Sequence, residues 1–354
     1  MFENITPADR TIAIQRLTAL WALNECGLGG FLHAIQSPFS GLFVGGFAMI
    51  CIAMICAMSD HKWRTMMTSL VIVLVIKGLV SPHSPPTAYI AVLFQGVTGA
   101  LIYSYIPGLL FSSILFVTLG LVESAMQRLL TLTVLYGNTL WSAINSWGEW
   151  VTQQWGVFLP WSSSQMIIMS YLGIHVLAGI LIGLFIYRLI HSIDQHWGES
   201  KYQLQLSDAD KKDFNTPQQR KRNNIKRYFF FIFLLILVAL TYFMPGKEHG
   251  IKSGLFLVIR AVGILLVWFV FLAPLFIRLL QKWLHQKHEK LASEISATME
   301  IFPQLMWILD KAWKETAALG FFHRLKTFLL HTMLYILQYK TYHDPDPHRT
   351  GKKS

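Results

Sequence analysis

The chain has 354 residues, 53% of them hydrophobic and only 14% charged, with a mean hydropathy of +0.44 and a formal net charge of +11. That charge is too sparse to cover a soluble protein of this size, and several apolar runs reach the ~20 residues that cross a hydrocarbon core. The basic surplus gathers beside those runs, as the positive-inside rule expects, which excludes nucleic acid as the reading of the charge.

The expected fold class is all-α, a polytopic membrane protein. In chain order, spans are predicted at about 13–34, 40–58, 65–80, 89–105, from the turn at Pro107 and Gly108 to near Ser124, and 164–190. No cleavable signal peptide is evident, because Asp9, Arg10 and Arg16 lead into the first span without a small-residue cleavage site. Residues 194–227 form a basic, polar linker and the clearest boundary in the chain. Two more spans are expected at about 228–244 and 253–277. The remainder reads as amphipathic helices with a polar terminus. The domains are thus 1–193, 194–227 and 228–354. Most of the 30 Lys and Arg residues fall in the first segment, the "SDHKWR" loop, the linker and the tail, which places both termini in the cytoplasm.

The first span contains "WALNECGLGGFLHA", with a carboxylate at bilayer depth that costs several kcal/mol by most estimates. Lys77 of the third span lies at a matching depth and is the expected partner of Glu25. A protonated Glu25 bonded to a carbonyl, and a proton carrier, are the rival readings. Thr18, Ala22, Cys26, Gly30 and Ala34 recur every four residues and form a small-residue stripe. Such a stripe serves either packing within the chain or docking of a separate membrane subunit.

Candidate ligand groups lie on the predicted outer side. The loop "SPHSPPTAY" offers His83, Ser84 and Tyr89, and Gln95 follows in the fourth span. The segment 136–161 carries Trp141, Trp147, Trp150, Trp155 and Trp161 beside Asn138, Asn145 and Glu149. These tryptophans suit an interfacial belt or the wall of a pocket for a flat ligand. His175, four residues after Tyr171, reads as a packed histidine. The three cysteines, Cys26, Cys51 and Cys56, lie inside apolar spans with no disulfide or metal-ligand spacing. No catalytic motif is present, no metal set is seen, and no cofactor is expected. The chain is therefore read as a non-enzyme.

The stretches "LTALWALNECGLGGFLHA", "SPHSPPTAYIAVLFQG" and "QRLLTLTVLYGNTLW" make residues 10–193 resemble the substrate-binding S component of energy-coupling factor (ECF) transporters. In that family the first helix docks on a transmembrane T component through an Ala-x-x-x-Ala stripe, a role the resemblance gives to Thr18, Ala22, Cys26 and Gly30. "MEIFPQLMWILDKAWKETAALGFFHRL", from Met299 to Leu325, resembles a T-component coupling helix, with Pro303 near its start and Ala318-Leu319-Gly320 where the family carries Ala-Arg-Gly. The resemblance implies uptake of a vitamin or vitamin precursor across a bacterial cytoplasmic (inner) membrane, coupled to a T component and ATP-binding-cassette ATPases in trans. Leu319 cannot make the bidentate contacts of the family's arginine. The alternative is a non-transporting membrane scaffold or assembly factor whose tail binds a partner complex.

Overall fold

The computed structural model describes residues 2, 5–28, 40–81, 84–156, 162–206 and 289–341. Gly30, Ala34, His83, Trp161, most of the linker, the spans expected at 228–244 and 253–277 and the polar terminus lie outside the described residues. The described part is helical, and five of its helices are long and apolar enough to cross a membrane.

Helix α1 (Pro7–Leu23) starts where sequence chemistry dictates: Pro7 fills the first position, and the Thr6 hydroxyl accepts from the Asp9 amide at 3.2 Å. The span was expected to run to 34, of which residues 29–34 lie outside the described residues. After Leu23 it widens into a π-helical turn, Asn24–Leu28. Asn24 fixes that turn by donating from Nδ2 to the Val44 carbonyl at 2.9 Å. Helices α2 (Ser40–Met58) and α3 (Lys62–Val80) follow. Their middles form the core, with Met49, Ile52, Met54, Met66 and Ile76 at zero exposure, while Phe43, Trp63 and Val80 near the ends are exposed.

Helix α4 (Pro86–Tyr105) opens on its proline and ends two residues before Pro107, with Ile106 between them extended as a pre-proline residue should be. Gly108 makes the turn at a φ of 86°, a conformation glycine adopts without strain. Helix α5 (Leu109–Tyr136) runs well past Ser124, where the span was expected to stop. Glu123 and Gln127 are hydrogen-bonded one turn apart, which keeps the polar stretch helical until Gly137. Its 28 residues cover about 42 Å, more than a hydrocarbon core. Helix α6 (Asn138–Trp155) is amphipathic, and α7 (Ser163–Gln195) begins with a capping box between Ser162 and Gln165.

The contacts at the two ends set the directions. Arg10 pairs with Asp60, and Lys62 Nζ donates to the Tyr103 carbonyl at 3.0 Å, at the end where α1 begins. The buried Phe2 joins the same end through its amide, which donates to Asp194 Oδ1 at 2.7 Å. Glu25, Lys77 and Pro85 lie toward the other end. Helices α1 and α3 therefore run parallel, with α2 and α4 antiparallel to them.

Helices α5 and α7 approach most closely. A Cβ on Gly179 would stand 2.6 Å from the Thr118 Cα, and one on Gly183 would stand 2.6 Å from the Ile114 Cα. This is a Gly-x-x-x-Gly contact of the kind that lets membrane helices pack backbone to backbone. It is absent from the expectations drawn from the sequence, which rest on the α1 stripe.

The C-terminal segment is three helices, α8 (Glu289–Glu300), α9 (Phe302–Glu315) and α10 (Phe321–Gln338). The single coupling helix expected over 299–325 is thus divided: Pro303 opens α9, and the exposed Ala318 and Gly320 lie in the turn before α10. All three helices pack on α1, and α8 also meets α3 while α10 meets α7. Arg16, buried on α1, donates from Nη1 to the Ile336 and Leu337 carbonyls at 3.3 Å each, and its guanidinium lies 3.6 Å from the Tyr339 ring centroid. Those carbonyls belong to the last turn of α10, which has no intrahelical donors for them. A two-residue parallel pair, β1 (Gln205–Leu206) with β2 (Lys340–Thr341), ties the end of the first segment to the end of the tail.

Candidate functional site

At the end of the bundle where α1 turns π-helical, five elements surround a cavity of about 210 Å³. The turn supplies Glu25, the first turns of α2 supply Gly41 and Val44, and the start of α4 supplies Ala88 and Gln95. The extension of α5 adds Ser124, Gln127 and Arg128, and α7 adds Tyr171. Two features of the fold create it: the widened turn carries Glu25 into the wall, and α5 continues beyond its expected end to deliver Arg128.

Glu25 is held by Lys77, whose Nζ donates to Oε2 at 2.6 Å, with side-chain exposures of 6% and 1%. The structure therefore brings together the two charged groups matched by depth in the sequence. Taking both out of water is expensive, and only close pairing offsets it. The Tyr89 ring stands 5.9 Å from the same ammonium, and its hydroxyl donates to the Ser81 carbonyl at 3.4 Å. Ser84, also buried, shares a 2.9 Å hydroxyl contact with Ser81. Ser84 and Tyr89 thus brace the loop before α4, behind the ion pair.

Gln95, another predicted ligand group, lines the cavity. It is 3% exposed, and its Oε1 has no hydrogen-bond partner. An amide oxygen buried without a donor costs about 1–3 kcal/mol.

The residues of α6 are placed differently. Trp141 Nε1 donates to Thr133 Oγ1 at 3.1 Å, and Asn145 Oδ1 accepts from the Ser164 amide at 2.9 Å, which caps the start of α7. Asn138, Trp147 and Glu149 are exposed, and none of the five lines the cavity. With Trp150 and Trp155 also exposed on an amphipathic helix, α6 has the character of an interfacial element. His175 is buried, with Nδ1 2.8 Å from the Tyr171 carbonyl.

Sequence reasoning misses Arg128, Gln127 and Ser124 as cavity residues. The available signal is a charged residue one helical turn beyond an apolar run with no helix breaker between. The first two residues of the small-residue stripe face other helices of the same chain: Thr18 donates to Ser69 of α3 at 2.9 Å, and Ala22 is fully buried. Among the described residues no three His, Cys, Asp or Glu side chains group as metal ligands.

A second space, about 880 Å³ and almost wholly apolar, opens between α1, α2 and α7 on one side and α9 and α10 on the other. It lacks the converging polar groups of the smaller cavity, which is the one with recognition chemistry. Comparison with family models, with curated proteins and with solved structures finds no match to this chain.

Proposed function

We propose that this chain is a solute-binding subunit of a membrane uptake system, taking a small molecule into the cavity between the π-helical turn of α1 and the extension of α5. The observation that carries the proposal is a cavity of about 210 Å³ on which Glu25, Gln95, Gln127 and Arg128 converge from three different elements. A concave space with a few converging polar groups from several elements is where a small molecule is recognised. The energy-coupling factor reading extends this proposal: ATPases in trans would drive uptake, and the exposed turn at Ala318 and Gly320 would be a contact for them. That extension rests on the resemblance, as do the vitamin-like substrate class, the bacterial inner membrane and the cytoplasmic termini.

A scaffold without transport is the second reading. It is favoured by one observation: α1 is engaged inside the chain, through Thr18 with Ser69 of α3 and through Arg16 with the end of α10.

The test is mass spectrometry on protein purified in mild detergent, read for small molecules and protein partners together. A stoichiometric small molecule supports solute binding, and ATPase subunits alongside it support the energy-coupling reading. A protein partner with neither a small molecule nor an ATPase overturns uptake in favour of the scaffold.

A further inference from the structure

We propose that the large apolar groove between the bundle and the C-terminal helices holds an anionic phospholipid, with an acyl chain in the groove and the phosphate at Lys326. The proposal is independent of the solute-binding reading, which concerns the smaller cavity.

The lining is the first observation. The groove, about 880 Å³, is walled by apolar side chains such as Leu23 of α1, Ile50 of α2, Phe185 of α7, Leu309 of α9 and Leu329 of α10. A space of that size encloses a molecule of some tens of atoms. Here that molecule meets almost no polar group along its length, which suits a hydrocarbon chain. Among the described residues that line the groove, Lys326 is the one charged side chain.

The second observation is the open edge. Phe322 and Phe43 both line the groove and are 85% and 63% exposed, and Met306, Trp313 and Leu325 are exposed beside them. Exposed apolar surface of this extent marks a membrane or protein contact. In a chain with five helices apolar enough to cross a bilayer, it lets an acyl chain enter without passing through water.

Charge separates lipid from the other occupants. Helix α10 carries Arg324 and Lys326 and no acidic residue. Arg324 is committed to α9, donating from Nη2 to the Trp313 carbonyl at 3.2 Å with its guanidinium 3.7 Å from the Trp313 ring centroid. Lys326 is exposed, with no ion-pair partner among the described residues. A flexible stem that lies along apolar surface and ends in an ammonium meets a phosphate as a point charge. A neutral lipid or an apolar protein helix would fill the groove without using that charge.

The test is native mass spectrometry of the detergent-purified full chain, titrated with phosphatidylglycerol and with phosphatidylcholine of the same acyl chains. The anionic lipid should bind tighter by roughly fivefold, the worth of one lysine beside anionic lipid. Lys326→Gln should remove that preference and leave phosphatidylcholine binding unchanged. Gly27 also lines the groove, and a Cβ there would meet nothing within 4 Å, so Gly27→Trp can place a ring in the space without displacing a neighbour. It should weaken both lipids by roughly tenfold or more, as the loss of a few buried methylenes does. Added phosphatidylglycerol should raise the unfolding temperature of the wild type more than that of the Lys326 variant. The wild-type ratio of the two lipids decides the matter even where a variant fails to fold. Equal affinity for the two lipids, or a preference that survives Lys326→Gln, would overturn the proposal. So would lipid binding indifferent to Gly27→Trp, which would mean that protein covers the groove, from residues 228–277 of this chain or from a separate subunit.

Discussion

Lys77 on α3 donates a 2.6 Å hydrogen bond to Glu25 in the π-helical turn of α1, and the pair sits with almost no exposure in the wall of the polar cavity. The π turn and the ion pair explain each other. An ordinary α-helix through Glu25 would present a different face, and π-helical turns inside helices recur at functional sites. Removing one partner leaves the other charge buried, at a cost of about 3–5 kcal/mol. Glu25→Gln or Lys77→Met alone should therefore lower thermal stability in detergent sharply, and the double variant should lie closer to wild type than either. Additive losses in the double-mutant cycle would show that the two charges do not support each other.

Arg16 joins the C-terminal helices to the bundle through the last carbonyls of α10 and the Tyr339 ring. Hydrogen bonds from a charged donor are worth about 1.5–3 kcal/mol each when buried. Arg16→Met should free the end of α10, and limited trypsin digestion should then cut at Lys326 and Lys340 faster than in wild type. Arg16→Lys should rescue only part of the protection, because an ammonium lacks the planar face that lies on Tyr339.

The α5–α7 contact gives a steric prediction. Gly179→Val or Gly183→Val would place side-chain atoms where the Thr118 and Ile114 backbones now stand, and overpacking of this kind costs about 1–3 kcal/mol or more. Gly173, where a Cβ would meet nothing within 4 Å, is the control on the same helix. Gly173→Ala should be neutral or stabilising by a fraction of a kcal/mol, roughly the helix-interior penalty of glycine. Thermal unfolding of the three variants side by side reads the difference.

His331 on α10 sets a pH dependence for the tail. Burial pushes its pKa down, the Glu315 carboxylate partly opposes that shift, and Lys201 adds to it. The His331 ring also packs against Tyr202 and Tyr335, and its Nδ1 is 3.9 Å from Glu315 Oε2. The unfolded chain therefore binds a proton more readily than the folded one. Stability from this site is present above the ordinary histidine value of about 6.5 and is lost as pH falls through the lower folded value. Protease resistance of residues 289–341 should decline over that range, and His331→Asn should flatten the dependence. An unchanged pH profile in the variant would assign the effect to other groups.

Some of this architecture was legible in the residues alone. Apolar run length gave α2, α3, α4 and α7 with nearly their observed starts, because a bilayer-length hydrophobic segment leaves the backbone no alternative to a helix. Pro107 and Gly108 announced their turn, and the isolated charges Glu25 and Lys77 announced each other. The sequence also held, unread, the Gly179 and Gly183 spacing. What it could not express was which face of each helix meets which neighbour. Five tryptophans and three polar residues around 138–161 have the composition of a pocket, yet the described ones lie on an amphipathic helix away from the cavity, since composition carries no direction. The stripe through Thr18 and Ala22 reads identically whether Ser69 of the same chain or another subunit fills it. Only the tertiary structure assembles Glu25, Gln95 and Arg128 around one space, because their proximity depends on a π turn and a helix extension that sum many weak local preferences, none of them decisive until the helices pack.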